Sequence, residues 1–268
     1  MNLLLRIMSG AVLLAVLFAA LWAGTPAVAA MVVLAVAIAM WEYSALLGRI
    51  GPRPPAWLLY PLALWLALRL VFPPAFQDAQ WPLIAAVAVG LIVAAALRTG
   101  FDRWASAVAG SLYIGLSLGF YLALFFWRPA DTAHFGLRLV VLVLIAVFAC
   151  DTAAYFAGSA FGRHGFFTSI SPRKTVEGAA AGAAAAILVG VLAGPALVGI
   201  GAGTAAGMGA LIAVAAQGGD LVESAIKRQA GVKESSGLIP GHGGLLDRLD
   251  SLVLVGPVVY CYLRLVAF

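Results

Sequence analysis

The run Ala11-Val12-Leu13-Leu14-Ala15-Val16-Leu17-Phe18-Ala19-Ala20-Leu21-Trp22 is followed by Ala23-Gly24-Thr25-Pro26-Ala27-Val28-Ala29. A second apolar run, from Ala30 to Trp41, comes directly after it. No charged residue stands between Arg6 and Glu42. Taken alone, Arg6, the first run and the small-residue triplet Ala27-Val28-Ala29 resemble a secretory signal with its cleavage site. The second run argues for a transmembrane hairpin turning at Gly24-Thr25-Pro26, since about 20 apolar residues cross a bilayer once.

The rest of the chain repeats this pattern. Further apolar runs predict helices near Trp57–Phe72, Trp81–Leu97, Ala105–Trp127, Leu137–Phe156, Ala179–Ala193, Gly199–Gln217 and Leu245–Val266, beside the first two at Leu3–Ala23 and Ala27–Leu47. Breakers separate them: Gly51-Pro52-Arg53-Pro54-Pro55, Pro73-Pro74, Pro129 and Gly194-Pro195. The expectation is an all-α polytopic membrane protein of about nine spans, given the roughly 20 residues each requires. Composition agrees. Over 268 residues, 64% are hydrophobic and 10% charged, against about 45–50% and 25% in soluble domains. Disordered, collagen-like, coiled-coil and disulfide-rich secreted classes are excluded by the same figures. The Gly and Ala content of the seventh and eighth spans predicts close helix packing. Cys150 and Cys261 both lie in apolar runs, where they read as packing residues.

Charge sorts the loops. With the N-terminus in the cytoplasm and nine alternating spans, that side collects Arg6, Arg49, Arg53, Arg98, Arg103, Arg163, Arg173, Lys174, Lys227, Arg228, Lys233 and Arg248. The far side holds Arg128, Arg138 and Arg264, and Arg69 lies within a span. Lys/Arg excess marks the cytoplasmic face. Scattered in short loops, these residues read as topology signals and contacts to anionic lipid, not as a nucleic-acid footprint. Two long polar loops, Gly158–Val176 and Gly218–Gly244, fall on the same side, and long loops tend to carry function.

Ionisable groups near the membrane concentrate in the last half of the chain. In Gly219-Asp220-Leu221-Val222-Glu223-Ser224-Ala225-Ile226-Lys227-Arg228, a continuing helix places Asp220, Glu223, Ser224 and Lys227 on one face. The plain alternative is a solvated helix end. Next comes Gly241-His242-Gly243-Gly244-Leu245-Leu246-Asp247-Arg248-Leu249-Asp250-Ser251. Its glycines allow close backbone approach to a ligand, and Asp247, Asp250 and Ser251 share a helix face. Facing Asp220, these carboxylates suit a hard cation such as Mg²⁺, ringed by Lys227, Arg228, Lys233 and Arg248. His242 reads as functional in this setting, with a structural role as the alternative. Ser171-Pro172-Arg173-Lys174-Thr175-Val176-Glu177-Gly178 opens a helix with adjacent Arg173 and Lys174, a natural phosphate contact as well as a topogenic cluster. Asp151 reads as site acid or as structural partner to that pair.

The segment Ser224-Ala225-Ile226-Lys227-Arg228, Lys233, then Pro240 to Asp250 resembles the phosphatidate cytidylyltransferase (CDP-diacylglycerol synthase) signature of the bacterial type. Asp151–Tyr155 and Ser171–Gly178 are similar to other motifs of that family. Together they occupy most of a C-terminal catalytic region, 137–268, behind generic N-terminal spans at 1–136. One departure is Glu234, where the family usually has Asp. The resemblance implies transfer of cytidylyl from CTP to phosphatidate, giving CDP-diacylglycerol and pyrophosphate. It implies Mg²⁺, with room for a second metal or a monovalent cation, and a homodimer in the inner membrane. It also implies metal ligation by Asp220 and Asp247 with help from Asp250, and a catalytic role for Lys227 and Arg228. Substrate contacts fall to Ser224, Arg173, Lys174, Lys233, His242 and Arg248. Two other classes fit a multispan chain with charged loops: a CTP-dependent polyprenol or phytol kinase, which releases CDP, and a secondary transporter. Transporters favour midplane sites and internal repeats, and this sequence has no clear repeat.

Overall fold

The computed structural model describes residues 3–71, 80–96, 100–128 and 134–266. Among these every regular element is helical: α1 (Leu3–Ala23), α2 (Thr25–Ile50), α3 (Ala56–Leu68), α4 (Gln80–Ala96), α5 (Phe101–Phe125), α6 (Phe135–Phe161), α7 (Val176–Val198), α8 (Ala202–Gln229) and α9 (Leu246–Val266). Seven of them are long and apolar enough to cross a membrane. The expectation of nine spans is therefore met in its class, while α3 and the described apolar part of α4, Val87–Ala96, stay below spanning length. The 13 residues of α3 rise roughly 20 Å, short of a hydrocarbon core about 30 Å thick. The breakers Pro73, Pro74 and Pro129 lie outside the described residues.

The turn expected at Gly24-Thr25-Pro26 is present between α1 and α2. Gly24 between α1 and α2 has φ 87°, with a proline in the first turn of α2, so the turn uses a backbone state open to glycine and a helix start suited to proline. Large apolar side chains face outward along the spans, with Trp22 90% and Val214 72% exposed. Such surfaces are unsuited to water and suited to lipid. Of the two cysteines, Cys150 packs inside as expected, whereas Cys261 is exposed on its helix.

The chain forms two compact units that interleave in sequence: Met1–Leu122 with Ile226–Leu249, and Ala123–Ala225 with Asp250–Phe268. In the first unit α3 and α5 touch backbone to backbone. A Cβ on Gly115 would sit 2.6 Å from the Ala63 Cα, and one on Gly119 2.6 Å from the Ala67 Cα. Here α5 widens into a π segment, Ser111–Leu116. The Ser111 hydroxyl lies 2.8 Å from the Ala107 carbonyl and 3.1 Å from that of Leu59 on α3.

In the second unit α7 carries a stripe of small buried residues, Gly178, Gly182, Ala186, Gly190 and Gly194. A Cβ on Gly182 would meet the Cys150 carbonyl of α6 at 2.9 Å, and one on Gly209 of α8 would meet the Ala186 carbonyl at 2.5 Å. The predicted close packing of the seventh and eighth spans is thus present, and it serves antiparallel contacts on both sides of α7. Two helices end differently from expectation. α8 runs on to Gln229, so the second polar loop begins at Ala230 instead of Gly218. α9 breaks at Leu254, because Pro257 has no N–H to bond the Val253 carbonyl one turn back.

Candidate active site

The continuing α8 settles one alternative. Glu223 is 0%, Lys227 8% and Ser224 9% exposed, so this face is not a solvated helix end. Asp220, a turn before Ser224, stands partly open.

In the second unit Asp220 is placed by two helices and a loop. The 162–175 loop folds back on itself, with Phe166 N–H donating to the Lys174 carbonyl at 2.9 Å and Val176 N–H to that of His164 at 2.9 Å. Glu177 pins its base, one oxygen accepting from the main-chain N–H groups of Arg163 and His164 at 3.1 and 3.2 Å, the other 2.6 Å from His164 Nδ1. Thr175 caps α7 by accepting from Gly178 N–H at 3.1 Å. The loop thereby delivers Lys174, whose Nζ pairs with Asp220 Oδ2 at 2.8 Å and reaches the Gln217 carbonyl at 3.4 Å. Ser224 donates to Asp220 Oδ1 at 3.1 Å. Gly219 lets α8 approach the main chain of α9 at the Asp250 carbonyl, where a Cβ would intrude. Asp250 Oδ1 accepts from Ser251 N–H at 2.7 Å, and Arg173 is exposed. Lys174, one of the two partners that the sequence offers Asp151, pairs with Asp220.

In the first unit the glycine-rich loop closes on Asp247, at the start of α9 and 5% exposed. Its Oδ1 accepts from Lys227 Nζ at 2.6 Å. Its Oδ2 accepts from Ser235 N–H, Ser235 Oγ and Gly244 N–H, each at 2.8 Å. Gly243, with φ 78°, passes so close that a Cβ would stand 2.7 Å from Oδ2. Arg228 donates to the Val232 carbonyl at 3.1 Å, while Lys233, Glu234 and Arg248 are exposed. His242 Nδ1 lies 2.7 Å from Ser9 Oγ on α1, and Ser9 Oγ also lies 3.0 Å from the Pro240 carbonyl. Partial burial, then the charges of Arg248 and Arg6, push the His242 imidazole below its ordinary pKa. The neutral ring is therefore favoured.

Glu42 is the residue the sequence reading passed over. It lies in α2, is 0% exposed, and accepts from four groups of the signature loop. Oε1 takes Ser236 Oγ at 2.5 Å and Leu245 N–H at 2.9 Å; Oε2 takes Leu246 N–H at 2.6 Å and Ser235 Oγ at 3.3 Å. A signal was present: Glu42 is the only Asp or Glu before Asp78, and an acid within an apolar span invites a functional reading.

The oxygen donors can be tested against a hard cation. An ionised carboxylate offers about four acceptor sites. Asp220 accepts from Ser224 on Oδ1 and pairs with Lys174 on Oδ2, and its side chain is 32% exposed. Asp247 commits Oδ2 to the loop and leaves capacity on Oδ1 beside Lys227. Both fit Mg²⁺, which takes oxygen ligands and shares them with phosphates. Among the described residues no three His, Cys, Asp or Glu side chains group as a ready metal cage.

The fold and these clusters define a multi-pass helical membrane protein with paired acids and bases gathered on α8, α9 and their loops. Residues 4–266 match the cytidylyltransferase family model, and the chain belongs to that family. It is 32% identical over 290 residues to the phosphatidate cytidylyltransferase of Synechocystis sp., covering 97% of this chain and 96% of that protein. It is 36% identical over 182 residues to the phosphatidate cytidylyltransferase of Brucella suis, 66% of each chain, and 34% identical over 172 residues to that of Bacillus subtilis, 62% of this chain and 60% of that one.

Proposed function

We propose that this protein transfers the cytidylyl group of CTP to phosphatidate, forming CDP-diacylglycerol and releasing pyrophosphate. The observation that carries this reading is its similarity, over nearly its whole length, to a protein named for that activity. The charged clusters on α8, α9 and their loops agree with it.

A phosphatidate phosphate oxygen attacks the α-phosphorus of CTP in line. The new P–O bond forms as the bond from the α-phosphorus to the bridging α,β oxygen breaks, and pyrophosphate leaves with that oxygen. Such a reaction needs positioning and charge neutralisation, and no protein nucleophile. Ser224, the nearest nucleophile candidate, donates its proton toward Asp220, and His242 is engaged with Ser9. Asp220 and Asp247 would hold Mg²⁺, with Asp250 assisting; when bound, the ion supplies Lewis-acid charge neutralisation at the phosphates. Ser224, Lys227, Arg228 and Arg248 bind CTP phosphates, together with Lys174, Arg173, Lys233 and His242. Lys227 reaches a phosphate by exchanging its bond to Asp247. The enzyme is a homodimer of the inner membrane, with its N-terminus and both polar loops on the cytoplasmic side, where CTP is dissolved.

The test is purified protein in detergent with CTP, phosphatidate and Mg²⁺. CDP-diacylglycerol and pyrophosphate are expected in equal amounts. Release of CDP with a phosphorylated lipid alcohol would replace this reading with a kinase.

A further inference from the structure

Glu42 stands on a helix that carries none of the family motifs, yet it binds the most distinctive of them. The partner set has a pattern. Each carboxylate oxygen takes one main-chain N–H from the start of α9 and one serine hydroxyl from the preceding loop. Leu245 and Leu246 lie at the N-terminus of α9, where main-chain N–H groups lack partners within the helix, and a negative charge there is favoured by the helix dipole. Gly244 makes the approach feasible: a Cβ there would stand 2.7 Å from the Glu42 Cδ. The loop is thus held by two carboxylates back to back. Asp247 draws in Ser235 and Gly244 from the side of Lys227, and Glu42 draws in Ser235, Ser236, Leu245 and Leu246 from the side of α2. The single proton of the Ser235 hydroxyl lies between them, with Oγ 2.8 Å from Asp247 Oδ2 and 3.3 Å from Glu42 Oε2. Glu42 sits eight residues before the end of α2 at Ile50, roughly 12 Å along the helix axis. Burying a carboxylate at such a depth costs several kcal/mol without partners, and all four that it has here belong to one loop.

We infer that Glu42 is a positioning residue for the cytidylyl-transfer site: it fixes the Ser235–Leu246 loop, and through Ser235 and the first turn of α9 it fixes Asp247 and its bond to Lys227. The inference rests on the proposed activity for its kinetic part. The structural part is independent of it. Glu42→Gln replaces one acceptor oxygen by an NH₂ donor, which then faces a main-chain N–H and a serine hydroxyl.

The experiment compares wild type, Glu42→Gln, Ser236→Ala and the double variant in detergent. It measures steady-state kinetics with CTP and phosphatidate, and hydrogen exchange by peptide. For Glu42→Gln, kcat/KM should fall about 10- to 100-fold, the usual consequence of losing a partner one step removed from the reacting groups, and KM for CTP should rise. A mere loss of folded protein lowers kcat and leaves KM alone, so the KM change separates positioning from unfolding. Exchange should rise in peptides covering 235–249 and stay unchanged in α6 and α7. Ser236→Ala should cost about 2- to 10-fold and add little in the Glu42→Gln background. Wild-type kinetics in Glu42→Gln, or exchange rising evenly along the chain, would overturn the inference. If Glu42→Gln fails to accumulate, Ser236→Ala decides alone, and unchanged kcat/KM with unchanged loop exchange overturns it. A wild-type protein without cytidylyltransferase activity would remove the proposed function and leave the exchange result to judge the clamp.

Discussion

Asp247→Asn tests how the signature loop is built. In the native protein four donors converge on this carboxylate, and one of them is the Lys227 ammonium at 2.6 Å. Both partners are almost fully buried. Asparagine keeps one acceptor oxygen and gains an NH₂ group. If its oxygen serves Ser235 and Gly244, the NH₂ faces Lys227 Nζ, donor against donor. If it turns the other way, three loop donors lose their acceptor. Either way Lys227 loses this ion pair in a buried setting, and breaking a buried pair from one side costs about 3–5 kcal/mol. By the scaling of soluble domains that is on the order of 10 °C in unfolding temperature. The assay is thermal unfolding in detergent, followed by intrinsic tryptophan fluorescence, with CDP-diacylglycerol formation measured in parallel. Asp247→Asn should lose both stability and activity. The double variant Asp247→Asn with Lys227→Met removes the buried ammonium together with the carboxylate it faces. It should recover most of the unfolding temperature while remaining inactive. A single variant that unfolds with wild type, or a double variant whose loss is the sum of the singles, would refute the argument that the pair is one energetic unit.

Asp220→Asn removes the charge from the ion pair with Lys174 and from the proposed metal ligand, so turnover should fall on the order of a thousandfold; near wild-type rates would take Asp220 out of the reacting site. Orientation is checked with single cysteines in a background lacking Cys150 and Cys261: Ser169→Cys and Gly237→Cys, both at exposed positions, should resist an impermeant thiol reagent outside intact cells, and Arg128→Cys should react, the reverse pattern inverting the topology. For His242 the folded pKa lies below the ordinary value of about 6.5, so the unfolded chain binds the extra proton first as pH falls. The stability this neutral ring contributes is present above about pH 6.5 and is lost below it, toward the lowered folded value. His242→Asn should flatten that part of the pH profile of the unfolding temperature, and an unchanged profile would show that the ring does not titrate as the structure requires.

Membrane residence, helical class and the Gly/Ala contact between the seventh and eighth spans were all legible in the sequence. Each depends on local composition: about 20 apolar residues cross a bilayer whatever they pack against, and small residues admit close backbones wherever they recur along a face. The family was legible for a similar reason, because its motifs are short and contiguous, from Ser224 to Lys233 and from Pro240 to Asp250. Helix ends were less so. Gly218-Gly219 reads as a stop, yet α8 continues through it, since Gly219 serves the approach of α9 and the buried Glu223, Ser224 and Lys227 hold the next turns inside. The partner of each charge depended on tertiary structure alone. Lys227 and Lys174 both read as phosphate ligands, and both are committed to carboxylates in this structure. Glu42 lies about two hundred residues before the loop it holds, with separations of 203 and 204 residues for its main-chain bonds. Nothing in its neighbours Trp41 and Tyr43 names that partner. Hydrogen bonds and ion pairs act over about 3 Å, so their partners are set by which helices the folded chain brings side by side, and a local pattern of residues carries no record of that.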